Sequence, residues 1–242
     1  MHTQSLQLSK LKILNGSWLK LIAIISMLID HTAHMLAPTL PLLSKPIFSI
    51  LGESITIYYI MRKVGRLAFP IFCFLISEGF YHTRNRIKYS LNLFIFALIS
   101  ELPYNLLRTC GKSVFHINGQ NVFFTLLLGT IVLHIAESNF HIILKSISII
   151  GIVITSGFLH IDYGSTGIIL IFMLYLLREN NLAKTIIAKP LLSGGYFAWS
   201  AFIFINMYNG KRGFIKGKIF KYAFYAFYPV HILLLYVILK LI

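Results

Sequence analysis

Asp30 and His31 are adjacent near the end of the first long apolar run, and they are the first candidates for chemistry in this sequence. The chain has only seven acidic residues. Ionisable groups inside an apolar run are energetically costly, so their presence there points to a function. An imidazole can act as a general base or a nucleophile, and a neighbouring acid can set its tautomer and charge. We therefore predict that both residues are catalytic. The alternative is structural, with Asp30 capping or pairing with a neighbouring helix and the histidine hydrogen-bonded at an interface.

Two helical stripes of polar side chains follow farther along the chain. Tyr225, Tyr228 and His231 are spaced i, i+3, i+6, so two phenols and an imidazole lie along one face of the last apolar run. We predict that His231 is a second acid or base, and the alternative is an aromatic belt with one hydrogen-bonded histidine. A second stripe either lines a polar cavity or joins helices by hydrogen bonds, and it consists of Glu101, Tyr104 and Asn105.

Basic residues supply a candidate anion site. Arg62 and Arg66 lie four residues apart, which places two guanidinium groups on one face where a helix begins. Lys211 and Arg212 belong to the basic loop before the last apolar run. We predict that these four side chains bind the phosphates of an acyl donor, and the alternative is that they anchor the protein at the membrane interface.

The composition predicts an integral membrane protein. Of the 242 residues, 57% are hydrophobic and 12% are charged, whereas soluble domains have about a quarter charged residues. Because the apolar runs are helix-length, we predict an all-α, polytopic transmembrane helical bundle rather than a β-barrel. The net charge of +15 resides between the apolar runs, which favours anionic lipid over nucleic acid as a partner. Cys73 and Cys110 provide neither a disulfide framework nor a cysteine-type metal site, and no metal is expected.

Eight spans are predicted, over 19–37, 67–81, 89–107, 121–136, 143–158, 164–177, 190–208 and 222–241. The stretch 46–61 is either a ninth span or a re-entrant or interfacial helix. With eight spans the lysines and arginines divide evenly between the two sides, whereas a ninth span favours a cytoplasmic N-terminus. We divide the chain into a basic N-terminal segment, 1–18, and one membrane domain, 19–242, whose first helix is retained rather than cleaved as a signal peptide.

The eight-span arrangement also predicts a single site. It brings the Asp30 end of the first span to the same membrane face as Arg66, Glu101, Asp162 and the basic loop 211–221. Asp162 otherwise reads as a solvated turn residue or a helix N-cap. Glu78, most of the way along the second clear span, is a further polar candidate. Reporter fusions at Gly119 and Lys216 are expected on the same side in this arrangement.

The chain resembles the TraX family of integral membrane proteins. The stretches that carry the resemblance follow the family's order and cover nearly the whole chain after Leu19; they are LKLIAIISMLIDHTAH, GRLAFPIFCFLISEGFYHTRN, FALISELPYNLL, NVFFTLLLG, DYGSTGIILI and YAFYAFYPVHILLL. The family is named for a conjugative-plasmid protein that acetylates the N-terminus of F-type pilin. It is similar to wider membrane acyltransferases, in which a histidine in an early span helps to move an acyl group from coenzyme A.

The resemblance implies site residues as well as an activity. Carried over to this chain, it points to Asp30, His31, Gly65, Arg66, Phe69, Pro70, Asn121, Tyr163, Gly164, Tyr228 and His231. The segment between His31 and Arg66 is longer here than in the plasmid protein, which puts the substrate in question.

These observations together predict a membrane acetyl- or acyltransferase that uses acetyl-CoA, in a bacterial inner (cytoplasmic) membrane. His31 is then a general base or a transient acyl carrier. The acceptor is an amine or hydroxyl on a pilin-like protein or a cell-envelope molecule such as a glycan. Two alternatives remain, a proton-coupled transporter in which the buried acids and histidines relay protons, and a non-catalytic pilus or conjugation assembly component.

Overall fold

The computed structural model describes residues 12–50, 52–115 and 119–242. It is mostly helical, at 73%, which confirms the predicted helical membrane fold in outline. Residues 1–11 of the predicted basic segment lie outside the described residues. The rest of that segment already belongs to the bundle, because Leu14 pairs with Tyr208 and the first helix begins at Gly16.

Seven of the eight predicted spans correspond to a single helix each, and 190–208 does not. In chain order the elements are α1 (Gly16–Leu36), α2 (Pro41–Ser44), β1 (Pro46–Ile50), β2 (Glu53–Thr56), α3 (Ile57–Gly65), α4 (Ala68–His82), α5 (Arg86–Arg108), α6 (Val122–Glu137), α7 (Ile142–Phe158), α8 (Gly164–Leu176), α9 (Asn181–Ala188), a 3₁₀ turn (Lys189–Leu191), α10 (Gly195–Trp199), α11 (Ala201–Asn206) and α12 (Lys218–Leu241).

Length and composition separate the apolar helices into two groups. α1, α5 and α12 are long enough and apolar enough to cross a membrane, and α6, α7 and α8 are shorter apolar helices. In α7 the side chain of Ser156 is buried, whereas apolar residues such as Ile147 and Ile154 are exposed. A helix with its apolar face turned outward fits a lipid surface rather than water.

Asparagine caps begin several helices. The side chains of Asn15, Asn85, Asn121 and Asn180 accept hydrogen bonds from backbone N–H groups in the first turns of α1, α5, α6 and α9. These first-turn N–H groups have no carbonyl partner within their own helix, so each cap satisfies a polar group that would otherwise be costly to bury. The caps explain why the helices begin at these residues.

The three long helices run in the same direction. At one end, Lys20 of α1 lies 5.3 Å from the Phe224 ring of α12. At the other end, the Cys110 thiol just after α5 donates to the His34 carbonyl of α1 at 3.7 Å. α4, α6 and α8 run the opposite way.

The bundle has two ends that differ in charge, a basic end and a far end. The basic end holds the first turns of α1 and α12 together with residues 83–88, 138–145, 177–180 and 207–217. The far end holds the last turn of α1 and residues 109–115, 119–121 and 159–163.

The prediction of one span over 190–208 is wrong. The chain leaves α8 at the basic end, runs along α4 to residues 191–194 beside Arg66, and returns through α10 and α11 to Tyr208 at the basic end. Pro190 and the left-handed Gly195, with φ of 60°, interrupt the helix here. The basic loop 211–217 therefore lies at the basic end, and the predicted convergence of this loop with Asp30 is also wrong.

The segment 46–61 is not a ninth helical span. The strands β1 and β2 pair antiparallel, with Phe48 opposite Ile55 and Ser49 opposite Ser54. The nine-residue helix α3 follows and packs along the second half of α1. This strand pair corrects the all-α prediction; Gly52, with φ of 84°, lies between the strands and suits a turn.

Close packing between α1 and α3 depends on Gly65. A Cβ atom at this position would overlap the side chain of Asp30. We expect Gly65→Val to lower the free energy of unfolding by about 1–3 kcal/mol, the usual cost of overfilling a packed site. Thermal unfolding in detergent measures this, with Gly151→Val in α7 as the control, since no described atom lies within 4 Å of a Cβ there. Equal melting temperatures for the two variants would contradict the packing.

The position of the basic loop predicts the result of a topology experiment. Gly119 lies beside Arg108 at the far end, whereas Lys216 lies in the loop that packs on Gly16 and Ser17. Reporter fusions at Gly119 and Lys216 should therefore report opposite sides of the membrane, contrary to the eight-span arrangement. The same side for both would restore that arrangement.

Candidate functional site

His31 and His231 meet between the first and last helices. His31 Nδ1 and His231 Nε2 are 2.7 Å apart, and the two rings are nearly parallel with centroids 5.0 Å apart. Tyr228 packs edge-on against both rings, with centroid distances of 5.9 Å. The predicted pairing of Tyr228 with His231 on one helix face is thus present, and the structure adds His31 to it.

The hydrogen bonds around this pair determine where the protons lie. His231 Nδ1 is 2.7 Å from the Phe227 carbonyl oxygen, which can only accept, so Nδ1 carries a proton. In the neutral ring Nε2 then bears a lone pair and accepts the proton on His31 Nδ1. His31 Nε2 is left with a lone pair, and no described residue hydrogen-bonds to it.

Asp30 does not orient His31. Its Oδ2 accepts a hydrogen bond from Arg62 Nη1 at 2.6 Å, in an ion pair whose side chains are 18% and 24% exposed. Neighbouring residues of a helix point about 100° apart, so Asp30 turns toward α3 while His31 turns toward α12. The predicted role of Asp30 in setting the tautomer of His31 is therefore filled by His231. Asp30 Oδ1 is buried without a hydrogen-bond partner among the described residues.

A second polar group joins α5 to the start of α6. The Asn121 side chain donates to Glu101 Oε2 at 2.7 Å and to the Ala97 carbonyl at 2.8 Å, while its own oxygen accepts from Phe123 N. Asn121 therefore caps α6 and fixes it to α5 at once. Asn105, predicted for the same cavity, instead donates to the Val114 carbonyl and supports the following loop.

The turn between α7 and α8 places Asp162 and Tyr163 at the far end of the bundle. Thr125 donates to the Asp162 carbonyl, and Asp162 N donates to the Gln120 carbonyl. His160 and Tyr163 have φ values of 51° and 62°, a strained region for residues with a Cβ, so the surrounding bonds must hold the turn. The Tyr163 ring stacks on Phe69 at 3.5 Å.

Electrostatics connect this turn to the rest of the site. Burial raises the pKa of the Asp162 carboxyl to about 6, and the guanidinium groups of Arg108 and Arg66 limit the rise. Asp30 acts on the same carboxyl with a like charge. Both half-buried acids, Asp30 and Asp162, thus lie near arginines.

Arg108 was missed by the sequence reasoning. It donates to the Tyr104 hydroxyl at 3.4 Å and approaches the backbone at Gly119, where φ is 117° and a Cβ would overlap the guanidinium. The sequence did contain a signal for it, because Arg108 lies seven residues after Glu101 and four after Tyr104, on the same helix face.

The four residues predicted to bind one donor are not together. Arg62 is paired with Asp30, and Arg66 packs against Gly194 at the start of α4. Lys211 and Arg212 lie at the basic end, where their carbonyl oxygens accept from Gly16 and Ser17. A single phosphate site built from all four is therefore wrong.

Glu78 is also separate from the histidine pair. It lies near the basic end with His82 at 3.5 Å and Arg178 at 3.9 Å. Glu78 does line a cavity, but this cavity lies at the basic end and not at the histidine pair.

The raised pKa of Asp162 predicts how pH affects stability. Its carboxyl titrates near 6 in the folded chain and near 3.8 when solvated, so ionisation costs folding free energy as pH rises from 4 to 6. Asp162→Asn cannot ionise and should gain stability relative to the unmodified protein over this interval, by at most about 3 kcal/mol.

Thermal unfolding of the two proteins at pH 4, 5 and 6 measures the difference. Glu179→Gln, at a side chain that is 87% exposed, is the control and should show a flat difference. A stability difference for Asp162→Asn that does not change with pH would contradict the raised pKa of the Asp162 carboxyl.

Comparison with known proteins places the fold and the site in a family. Residues 15–239 match the family model described as "TraX protein". A protein of Dichelobacter nodosus is described as "Probable fimbrial assembly protein FimC, serogroup H1". It is 30% identical to this chain over an alignment of 243 residues including gaps, and the alignment covers 90% of this chain and 92% of that protein. No solved structure matches. The family match includes both histidines and every other residue of the site, and the chain belongs to the TraX family.

Proposed function

We propose that the protein is an integral membrane acyltransferase that moves an acetyl group from acetyl-CoA to an amine or hydroxyl acceptor. The observation that carries this proposal is the hydrogen-bond relay from the Phe227 carbonyl through His231 to His31. The relay supports a defined tautomer of His31, with the lone pair of Nε2 directed away from His231. This is the arrangement that a general base needs.

In the proposed reaction, His31 Nε2 removes a proton from the acceptor as its nitrogen or oxygen attacks the thioester carbonyl. The carbon–sulfur bond breaks, and the imidazolium returns the proton to the departing thiolate. His231 supports the imidazolium because its Nε2 accepts from His31 Nδ1 in both protonation states. Tyr228, which packs on both rings, is a candidate donor for the carbonyl oxygen.

The distribution of basic residues supports an orientation in the inner membrane. The basic end carries Lys12, Lys20, Arg84, Arg86, Lys88, Lys145, Arg178, Lys211, Arg212, Lys216, Lys218 and Lys221. The far end, with the adjoining α3, carries Lys45, Arg62, Lys63, Arg66, Arg108, Lys112 and Lys240. By the positive-inside rule the basic end is cytoplasmic. The far end then faces outward in a multi-pass arrangement.

The description of the relative from Dichelobacter nodosus suggests an acceptor for this activity, and it also suggests a second candidate function. Because that relative is described as a probable fimbrial assembly protein, a pilin-like N-terminus is the first acceptor to test, with a cell-envelope glycan as the second. The second candidate function is assembly without catalysis. It predicts that the buried histidines matter for pilus formation only through stability.

The relay predicts the effect of removing His31. His31→Ala should lower acetyl transfer by about 10²–10⁴-fold, the usual loss for a general base. It should also melt at a lower temperature than the control, because His231 Nε2 loses its hydrogen-bond partner, so transfer is compared at a temperature at which both variants are folded. Transfer of radiolabelled acetyl from acetyl-CoA to a pilin N-terminal peptide, in reconstituted vesicles, measures the rate. The control is His34→Ala, because His34 lies one turn farther along α1 and makes no described hydrogen bond through its side chain.

A His31→Ala protein that transfers acetyl at the unmodified rate would remove His31 from the mechanism. An unmodified protein that transfers no acetyl to peptide or glycan acceptors, while pilus assembly still requires it, would favour the assembly function.

A further inference from the structure

A large cavity opens at the basic end of the bundle, away from the histidine pair. Its volume is about 580 Å³, which is within the range of small-molecule binding sites. It lies between the first turns of α1 and α12, the second half of α4 and the loop 207–217. Together with Tyr89 of α5, five separate parts of the chain therefore shape the cavity.

The cavity wall carries an excess of positive charge. Its basic residues are Lys20, Arg84, Arg212 and Lys221. Arg212 is close enough to repel both Lys20 and Lys221. In the described part of the chain none of the four has a carboxylate within 4 Å, and the acid in the wall, Glu78, is engaged by His82 and Arg178. An anionic ligand would relieve this repulsion.

The inner wall of the cavity is apolar and aromatic. Phe72, Leu75 and Phe224 face it together with Tyr225. A Cβ at Gly79 would collide with the Tyr89 hydroxyl, so the wall at that point has room only for glycine. A ligand that fills both regions has a phosphate-bearing head toward the loop and a less polar arm toward the bundle.

The same face of α12 connects this cavity to the histidine pair. Tyr225 lines the cavity, Tyr228 packs on both imidazoles, and His231 follows three residues later. At 1.5 Å per residue, Tyr225 and His231 are about 9 Å apart along the helix axis. A ligand arm that extends from the cavity along α12 therefore has about 9 Å to cover to reach the histidine pair.

We propose that this cavity binds the phosphate groups of a coenzyme A thioester, and that the donor enters from the basic end while the acceptor approaches from the far end. The identity of the ligand as an acyl donor rests on the proposed function. The charge of the cavity would also suit an anionic phospholipid headgroup, which is the competing source of the same phosphate chemistry.

Calorimetric titration of the purified full chain in neutral detergent tests the proposal. Coenzyme A should bind, and the double variant Arg84→Gln/Lys221→Gln should bind it at least about tenfold more weakly, the effect of losing one or more charge-assisted phosphate contacts. The matched control is Lys45→Gln/Lys112→Gln at the far end, which should bind within about twofold of the unmodified protein. Equal affinity in the two double variants would overturn the proposal.

Two further arms identify the source of the phosphate and separate this proposal from the proposed function. Dihexanoyl phosphatidylglycerol at equal concentration should not displace coenzyme A, and binding of this lipid without binding of coenzyme A would overturn the donor assignment. His31→Ala should keep its affinity for coenzyme A while losing transfer. Loss of that affinity would place the donor's phosphates at the histidine pair instead and overturn the cavity, whatever the rate of transfer.

Discussion

The hydrogen bond between His31 and His231 joins the first long helix to the last, and the candidate chemistry depends on it. Two neutral imidazoles inside an apolar bundle are costly unless their polar atoms form hydrogen bonds. Three of the four ring nitrogens do so, through the Phe227 carbonyl and the bond between the rings, while His31 Nε2 has no hydrogen-bond partner among the described residues. The contact that joins the two helices thus also holds the lone pair of His31 Nε2 at a defined position.

The charged residues around this pair follow the same constraint. Asp30 is held by Arg62 across the close contact at Gly65, and Asp162 is faced by Arg108 and Arg66. Each acid comes from a different part of the chain than its arginines, so both arrangements require the assembled bundle. Removing Arg62 would leave the Asp30 carboxylate without its ion-pair partner in a medium of low dielectric, which is more costly than losing the attraction alone.

The fold gives the molecule two chemically different ends. The interruption at Pro190 and Gly195 returns the chain to the end where it entered, so the loop 207–217 packs on Gly16 and Ser17 rather than beside Asp30. Positive charge is concentrated there around a cavity, while the histidine pair and the two acids lie deeper, toward the far end. α12 spans both regions, which is why one helix face carries Tyr225 at the cavity and His231 at the pair.

The sequence by itself determined the helical membrane class and which polar side chains share a helix face, because apolar run length and the 3.6-residue period are local properties. Tyr228 with His231, and Glu101 near Tyr104, were recognisable in this way. The hydrogen-bond partners of these residues were not recognisable from the sequence. Only the tertiary structure decided that His231 rather than Asp30 orients His31, because the side chains of adjacent helical residues point in different directions. It also decided which end holds the basic loop, since a single break in 190–208 reverses the direction of everything after it.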